Sequence, residues 1–352
     1  VIRAKKTGKK LPDDLQTITP ENAESLTRLL SFNGLGYALD WSTDGEQLVV
    51  GGISGVWVYT FEEGRTETQI LQTNSNGPMQ QVIFNADATQ LGIVTRFDET
   101  FNVGSFRVID MTTGNEIDIS QFDYGEVAAM GADLNVIASG LVNSVTVRRM
   151  DRARAFAAYE TSEQRPVYAI DISPDGRLVA IAGQEIPPDD EDNENDDENA
   201  TPFFGIEDFG YMSLLDLDTD EVVFSVQMLG TFDVRGVLAF SDDSRLIAYS
   251  RQNDIGDTEI VVWDIATQEE IQSFRILGTS SFVTAIDFNT DNMLFATGSR
   301  DGTVRLWDME SGDRLSTIQV ADITINDLAF RPDGHVLALT SDSGEIVLLG
   351  AE

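Results

Sequence analysis

The chain has 352 residues, of which 60 are acidic and 23 are lysine or arginine, so its formal net charge at pH 7 is −37. This acidity excludes binding to a nucleic-acid backbone, which requires a basic stripe that neutralises phosphates. Cysteine is absent, which excludes disulfides and thiol chemistry. No apolar run approaches the roughly 20 residues needed to cross a membrane, so we expect no membrane insertion.

The first ten residues form a basic arm on an otherwise acidic chain. All lysines of the protein lie there, and together with one arginine they carry five positive charges: Arg3, Lys5, Lys6, Lys9 and Lys10. The rest of the chain has 18 arginines against 60 acids. Because opposite charges attract, we predict that these five side chains bind an acidic protein surface, on the same chain, a second copy or another protein. The chain begins at Val1 rather than methionine, so we also expect that an upstream segment was removed.

One short pattern, an aspartate in a tight turn between two apolar stretches, recurs seven times. The copy at Asp87 is weaker and that at Asp133 is degraded; the full set is Asp44, Asp87, Asp133, Asp175, Asp243, Asp291 and Asp333. The spacings are 43, 46, 42, 68, 48 and 42 residues. A period of about 42 with alternating strands is typical of a β-propeller with one four-stranded blade per repeat. The sequence therefore predicts an all-β, seven-bladed propeller of antiparallel blades.

The fourth repeat contains an insertion. Its spacing of 68 places about 26 extra residues between the second and third strands of blade four, at residues 184–209. The insertion carries eight carboxylates in ten residues: Asp189, Asp190, Glu191, Asp192, Glu194, Asp196, Asp197 and Glu198. Oxygen-only ligands suit calcium rather than zinc or copper, so calcium is the one candidate cofactor. The run lacks the central glycine and the carboxylate register of an EF-hand, and a solvated acidic loop is the alternative.

The sixth repeat shows all four strands of one blade. Apolar runs of strand length occupy 283–288 and 293–298, and a polar–apolar alternation follows over Thr303–Asp308. The turns that separate the later strands contain Asp301-Gly302 and Ser311-Gly312. Asp-Gly between two strand-like runs is the strongest short hairpin signal. Four strands joined by three hairpins make one blade.

The two ends of the chain are predicted to share blade seven. The last repeat, from Ile325, supplies only three strands and ends with residues 345–349. The apolar run 26–32 matches the outer strands of other blades and supplies the fourth. Without this closure two sheet edges would be open to pairing with other chains. The predicted organisation is an arm with a short helical lead-in over 1–25, followed by a propeller over 26–352.

In its repeats the chain resembles the WD40 repeat family. The dipeptide that names the family stands at Trp263-Asp264 and at Trp307-Asp308, and Asp301 lies in the hairpin before the second copy. The resemblance implies structural roles for Asp264, Asp301, Asp308, Trp263 and Trp307. The positions that usually carry Gly-His hold Gly230-Thr231 and Gly278-Thr279. The resemblance therefore implies that the family's buried Asp-His-Ser-Trp network is absent and that these blades depend more on apolar packing.

The resemblance implies a non-catalytic module for protein–protein interaction. The run 18–23 is similar to WD40 proteins of bacterial surface or secreted type, which implies an extracellular or cell-surface location. We expect a subunit of a surface assembly in which the basic arm docks on an acidic propeller. The alternative is a monomeric scaffold that recruits a different protein.

The acidic, nearly lysine-free surface has three open explanations. Self-repulsion keeps a protein soluble. Adaptation to the cytoplasm of a high-salt cell is the second, because salt screens crowded carboxylates. The third is a surface that binds divalent cations or a basic partner.

Catalysis finds little support in the sequence. His335 is the only histidine and has no Ser or Cys nucleophile at a recognisable spacing. Carboxylate pairs are too numerous to identify an acid–base pair. The enzymatic alternative is a hydrolase that uses two carboxylates on the ring face. We therefore expect a protein that is not an enzyme and whose partner is a protein.

Overall fold

The computed structural model describes residues 3–7, 10–34, 36–53, 55–62, 65–71, 78–98, 103–122, 127–141, 144–149, 157–160, 166–185, 209–228, 237–252, 257–276, 282–320 and 322–352. Within these residues the chain forms twenty-nine strands and one 3₁₀ turn, Ala23–Ser25. The strands build seven antiparallel sheets whose innermost strands surround one central channel. The predicted seven-bladed, all-β propeller is confirmed.

Each blade runs from an innermost strand to an outer edge. The N-terminal strands are β1 (Arg3–Thr7) and β2 (Thr27–Asn33). Blade one contains β3 (Ala38–Trp41), β4 (Gln47–Gly51), β5 (Val56–Glu62) and β6 (Arg65–Leu71). Blade two contains β7 (Met79–Phe84), β8 (Gln90–Asp98), β9 (Val103–Asp110) and β10 (Glu116–Phe122). Blade three contains β11 (Val127–Met130), β12 (Val136–Leu141), β13 (Ser144–Arg149) and β14 (Ala157–Glu160).

The remaining blades follow the same order. Blade four contains β15 (Val167–Ile172), β16 (Leu178–Glu185), β17 (Phe209–Asp216) and β18 (Glu221–Met228). Blade five contains β19 (Leu238–Phe240), β20 (Leu246–Gln252), β21 (Thr258–Asp264) and β22 (Glu269–Ile276). Blade six contains β23 (Val283–Phe288), β24 (Leu294–Ser299), β25 (Thr303–Asp308) and β26 (Arg314–Gln319). Blade seven contains β27 (Ile325–Phe330), β28 (Leu337–Ser341) and β29 (Glu345–Gly350).

The N-terminal strand β2 completes blade seven, as the sequence predicts. The strand order of that blade is β2–β29–β28–β27, and Thr27 pairs with Gly350. The Phe32 ring of β2 then contacts Tyr59 of blade one, with centroids 4.6 Å apart. The first and last blades are therefore joined both by backbone pairing and by side-chain packing.

The repeated aspartates form the same turn in all seven blades. In each turn the carboxylate Oδ1 accepts a hydrogen bond of 2.9–3.1 Å from the backbone N–H two residues later. The residue after each aspartate has φ between 54° and 73°, in the left-handed region. Aspartate favours such turns because its short side chain bonds the nearby backbone. The degraded copy follows the pattern as well, since Leu134 after Asp133 has φ 57°.

The hydrophobic core lies between neighbouring blades. Between blades five and six, Phe274 of the outer strand β22 stacks on Phe295 at 5.3 Å between ring centroids and lies 5.4 Å from Trp307. Between blades seven and one, Phe32 is buried in one cluster with Leu48 and Ile346. Because successive side chains of a strand point to opposite faces, each blade can bury both faces against its two neighbours.

The strand β1 of the basic arm extends blade one by a fifth strand. It pairs antiparallel with the outer strand β6, with Arg3 opposite Ile70 and Thr7 opposite Thr66. This backbone pairing lies on the chain's own ring, and the binding of the basic side chains to an acidic surface stays a prediction.

The lead-in between the arm and β2 packs on the ring. Ile18 is 1% exposed, and its N–H donates to the carbonyl of Gly334 at 2.8 Å. The short helical lead-in expected before β2 is the single 3₁₀ turn Ala23–Ser25, because the backbone at Leu26 already has ψ 131° and the chain continues as β2.

Candidate interaction surfaces

A central channel of about 430 Å³ is lined by the innermost strands of all seven blades. Four part-buried aspartates on these strands line the channel, and each Oδ2 accepts a backbone N–H from the next blade. The bonds are Asp40–Phe84 (2.7 Å), Asp171–Phe240 (3.0 Å), Asp287–Phe330 (2.7 Å) and Asp327–Leu39 (2.8 Å). These channel aspartates therefore link neighbouring blades.

Burial raises the pKa of all four channel aspartates. The pKa rises to about 7 for Asp40 and for Asp327 and to about 6 for Asp171, and that of Asp287 rises well above its usual range. Burial also raises the pKa of Asp242, with a further contribution from the charge of Asp243. Desolvation disfavours the ionised form, and the backbone N–H donors offset this effect only in part. The channel thus contains carboxyl groups that titrate near neutral pH.

A neutral side chain makes the corresponding link between blades two and three. Gln81 accepts a hydrogen bond from Met130 N–H at 2.8 Å and donates one to the Met130 carbonyl at 3.2 Å. The inter-blade link therefore does not require a charge. Sequence reasoning missed these positions, although an acid inside an apolar strand recurs four residues before the turn aspartate at Asp40, Asp171 and Asp287.

The aspartates of the Trp-Asp dipeptides cap the turns between the third and fourth strands. Asp264 accepts a hydrogen bond from Thr267 N–H at 2.8 Å, and this bond lowers the pKa of Asp264. Asp308 accepts one from Ser311 N–H at 2.7 Å. Asp301, in the hairpin between β24 and β25, pairs with Arg305 at 3.2 Å. Asp301 also accepts a hydrogen bond from Thr303 N–H at 3.1 Å, so all three carboxylates bond the backbone of their turns.

The two tryptophans of these dipeptides lie between blades. Trp307 is 4% exposed, and its Nε1 donates to Thr297 Oγ1 at 3.1 Å. Trp263 Nε1 donates to the Tyr249 hydroxyl at 3.2 Å. The tryptophan–threonine bond of blade six corresponds to one link of the family's Asp-His-Ser-Trp network, whose histidine position holds Thr279 in this chain.

A second concave surface lies on the face of the ring that carries the aspartate turns. It is a groove of about 510 Å³ between blades five and six. Leu246, Ile271, Met293 and Met309 supply its apolar part. Its other lining side chains are mostly carboxylates: Asp243, Asp264, Asp291, Asp308 and Glu310. Five acids with one guanidinium, that of Arg245, make this groove suited to a cationic partner.

The structure describes only part of the ligand sites that the sequence predicts. The candidate calcium run, Asp189 to Glu198, lies outside the described residues, as does Lys9. Arg3, Lys5 and Lys6 lie on β1, whose backbone pairs with β6, and Lys10 forms an ion pair with Asp13. Among the residues that the structure describes, no three acidic or histidine side chains converge to hold a metal ion. No helix in the described part of the chain is long and apolar enough to cross a membrane.

The seven closed, four-stranded blades define this chain as a β-propeller. A family model for the WD domain, G-beta repeat, matches residues 269–308, which run from β22 of blade five through β25 of blade six. This match supports the resemblance to WD40 repeats.

Three relatives match 28–31% of the chain. The guanine nucleotide-binding protein subunit beta of Zea mays is 35% identical over 107 residues, which are 29% of this chain and 27% of that protein. The U3 small nucleolar RNA-associated protein 21 of Saccharomyces cerevisiae is 32% identical over 103 residues, or 28% of this chain and 11% of that protein. Target of rapamycin complex subunit wat1 of Schizosaccharomyces pombe is 29% identical over 109 residues, or 31% and 33%. The chain therefore spans a third or less of the length of each of these relatives.

Two solved structures share the fold over nearly the whole chain. A chain of the mitotic checkpoint complex has a TM-score of 0.67 at 15% identity and covers 93% of this chain and 96% of its own. The β-propeller domain of Myceliophteria thermophila Cps50 (Swd1) has a TM-score of 0.71 at 11% identity, covering 93% and 100%. At these identities the likeness concerns the fold alone. The relatives named above are plant and yeast proteins, so the comparisons do not support the narrower resemblance to bacterial surface or secreted proteins.

Proposed function

We propose that this chain is a non-catalytic interaction scaffold whose acidic ring recruits a basic protein partner. The observation that carries the proposal is the division of its carboxylates. Those in the channel bond the next blade. Turn carboxylates such as Asp291 bond their own backbone through Oδ1, and at the groove between blades five and six Asp291 is exposed beside Glu310, where a ligand can reach both side chains. The channel carboxylates and the Oδ1 atoms of the turn carboxylates hold the fold together, which argues against the alternative of a hydrolase that uses two carboxylates on the ring face.

The names of the relatives support a scaffold role. Two of the relatives above are named as subunits. One is a subunit of a guanine nucleotide-binding protein, and the other is a subunit of a target of rapamycin complex. A closed ring of rigid blades suits this role, because a preformed surface binds without a large cost in conformational entropy.

The second candidate function is a subunit of an extracellular or cell-surface assembly, and one observation favours it. The arm strand β1 pairs at the outer edge of blade one, outside the four strands that a blade requires. If β1 of one copy paired with β6 of the next, the contact would be head-to-tail and would grow into a ring or a filament. The cell-surface location is part of this second proposal.

Light scattering after size-exclusion chromatography separates the two candidates. If the chain is a lone scaffold, we expect a monomer at both about 0.05 M and about 0.5 M salt. The reason is that the backbone of β1 already pairs with β6 of its own ring. The matched variant changes Lys5, Lys6, Lys9 and Lys10 to glutamine and leaves the propeller sequence untouched. Polymers at low salt that are lost in this variant would contradict the lone scaffold and favour the assembly subunit.

A further inference from the structure

We propose that the groove between blades five and six docks a lysine- or arginine-rich segment of another protein that carries one aliphatic or aromatic anchor. The inference rests on the proposed scaffold function and assigns it a place and a partner chemistry. Three features of the groove carry it: an exposed apolar surface, an acidic rim and rigid walls.

Two large apolar side chains of the groove are exposed to solvent. Ile271 is 47% exposed and Met293 is 52% exposed, and both line the groove, with Met309 half-buried beside them. Among the described residues only seven large hydrophobic side chains are exposed, and two of them face this one concavity. Exposed apolar surface with a polar rim marks interaction sites. The groove can therefore desolvate one aliphatic or aromatic side chain of a partner.

The rim selects the charge of that partner. Asp243, Asp291 and Glu310 are exposed at the groove. The single cation, Arg245, already lies 4.0 Å from the Asp264 carboxylate. Acidic partners would be repelled and basic ones attracted, because complementary potentials raise association rates and exclude like-charged partners.

The walls of the groove are fixed before any ligand arrives. Asn292 of blade six donates to Asp243 of blade five at 3.0 Å. Gln272 of blade five donates to the Met309 carbonyl of blade six at 3.2 Å. These bonds hold the two blades in one register, so a docked segment does not have to order the site.

The charge distribution of the chain favours another protein over a second copy. All lysines lie in the first ten residues, and residues 3–7 of that arm are already paired with β6. Every other cation of the chain is an arginine within a body of 60 acids, which repels a second acidic body. A basic segment from elsewhere meets no such penalty.

Fluorescence anisotropy on the full chain tests the proposal with a labelled lysine-rich peptide that carries a central leucine. The comparison peptides replace the leucine with serine or the lysines with glutamate. The anchor variant removes the apolar surface and carries Ile271→Ser and Met293→Ser. The rim variant neutralises two acids and carries Asp291→Asn and Glu310→Gln. The control variants change exposed residues that do not line the groove. The apolar control carries Ile117→Ser and Val223→Ser, and the acidic control carries Asp118→Asn and Asp322→Asn.

We expect the leucine peptide to bind, and the anchor variant to weaken its Kd about tenfold. The rim variant should weaken binding mainly at low salt, and both controls should change the Kd less than about twofold. Binding that is unchanged in both groove variants would overturn the groove assignment while the scaffold proposal stands. If no basic peptide binds the parent chain, the recruitment of a basic partner fails as well. A dimer that dissociates on changing Ile271 and Met293 would overturn the inference in favour of a second copy.

Discussion

The Asp327 carboxylate of blade seven accepts a hydrogen bond of 2.8 Å from the Leu39 N–H of blade one. Its other oxygen accepts the Leu328 N–H of its own strand at 2.9 Å. This contact crosses the seam where the first and last blades meet. A group that joins the two ends of the ring thus has a pKa raised by burial to about 7.

The first prediction is that Asp327 makes the protein less stable as the pH rises. Its pKa is about 7 in the folded chain against an ordinary 3.8, so between these values the folded state binds more protons than the unfolded state. The stability that it contributes is therefore present below about pH 4 and is lost as the pH approaches 7. Asp327→Asn cannot ionise, so its stability relative to the parent should improve by about 2–3 kcal/mol between about pH 5 and about pH 8.

Chemical denaturation of both chains across this pH range measures that difference. Asp40 and Asp287 interact electrostatically with Asp327, and they remain in both chains. Asp87→Asn is the control, because a hydrogen bond from the Thr89 side chain lowers the pKa of this turn aspartate. Its difference from the parent should be flat above about pH 5. A flat difference for Asp327→Asn as well would show that the seam carboxyl is not protonated near neutral pH.

The second prediction concerns the closure of the ring. Phe32 is 6% exposed and packs against Tyr59 across the seam, so Phe32→Ala should cost about 3–5 kcal/mol of unfolding free energy. Ile117→Ala, on an outer strand and 51% exposed, should cost less than about 0.5 kcal/mol. Equal costs would show that the seam does not limit stability.

Deletions test the same closure on a larger scale. Removing residues 1–33 takes away β2 and opens the edge of β29, so the chain should aggregate or lose its cooperative melting transition. Removing only residues 1–10 takes away β1 and leaves every blade with four strands. We expect its melting temperature to stay within a few degrees of the parent.

The third prediction concerns a strained turn. Gln268 has φ 58°, a left-handed conformation that glycine adopts without steric cost, and its side chain is exposed. Gln268→Gly should raise the unfolding free energy by up to about 1 kcal/mol. The neighbour Glu269 begins the strand β22, so Glu269→Gly should destabilise instead. Denaturant melts of the two variants decide the point, and destabilisation by both would contradict it.

The fourth prediction concerns the acidic run in blade four, which lies outside the described residues. Replacement of residues 189–198 by a short Gly-Ser linker should leave the melting temperature in chelator nearly unchanged, because the run lies outside the repeat. If the run binds calcium, calcium should raise the melting temperature of the parent and not that of the variant. Equal responses in calorimetry would exclude the run as the calcium site.

Much of the fold could be predicted because its signals are local. The spacing from Asp44 to Asp333 reports the blades, since each turn needs a short carboxylate that bonds its own backbone. The three-stranded last repeat likewise predicted the role of β2, because an open sheet edge must find a partner.

The sequence by itself determined the propeller, its seven blades, their closure and the strongly acidic charge of the ring. Only the tertiary structure decided the environment of each aspartate. Asp44 and Asp40 stand four residues apart in one repeat, yet the Ser42 hydroxyl lowers the pKa of the first and burial raises that of the second. The groove between blades five and six was also hidden, because it joins Ile271 and Met293 from different repeats. Desolvation and concavity depend on which blade lies alongside, and closure of the whole ring sets that arrangement.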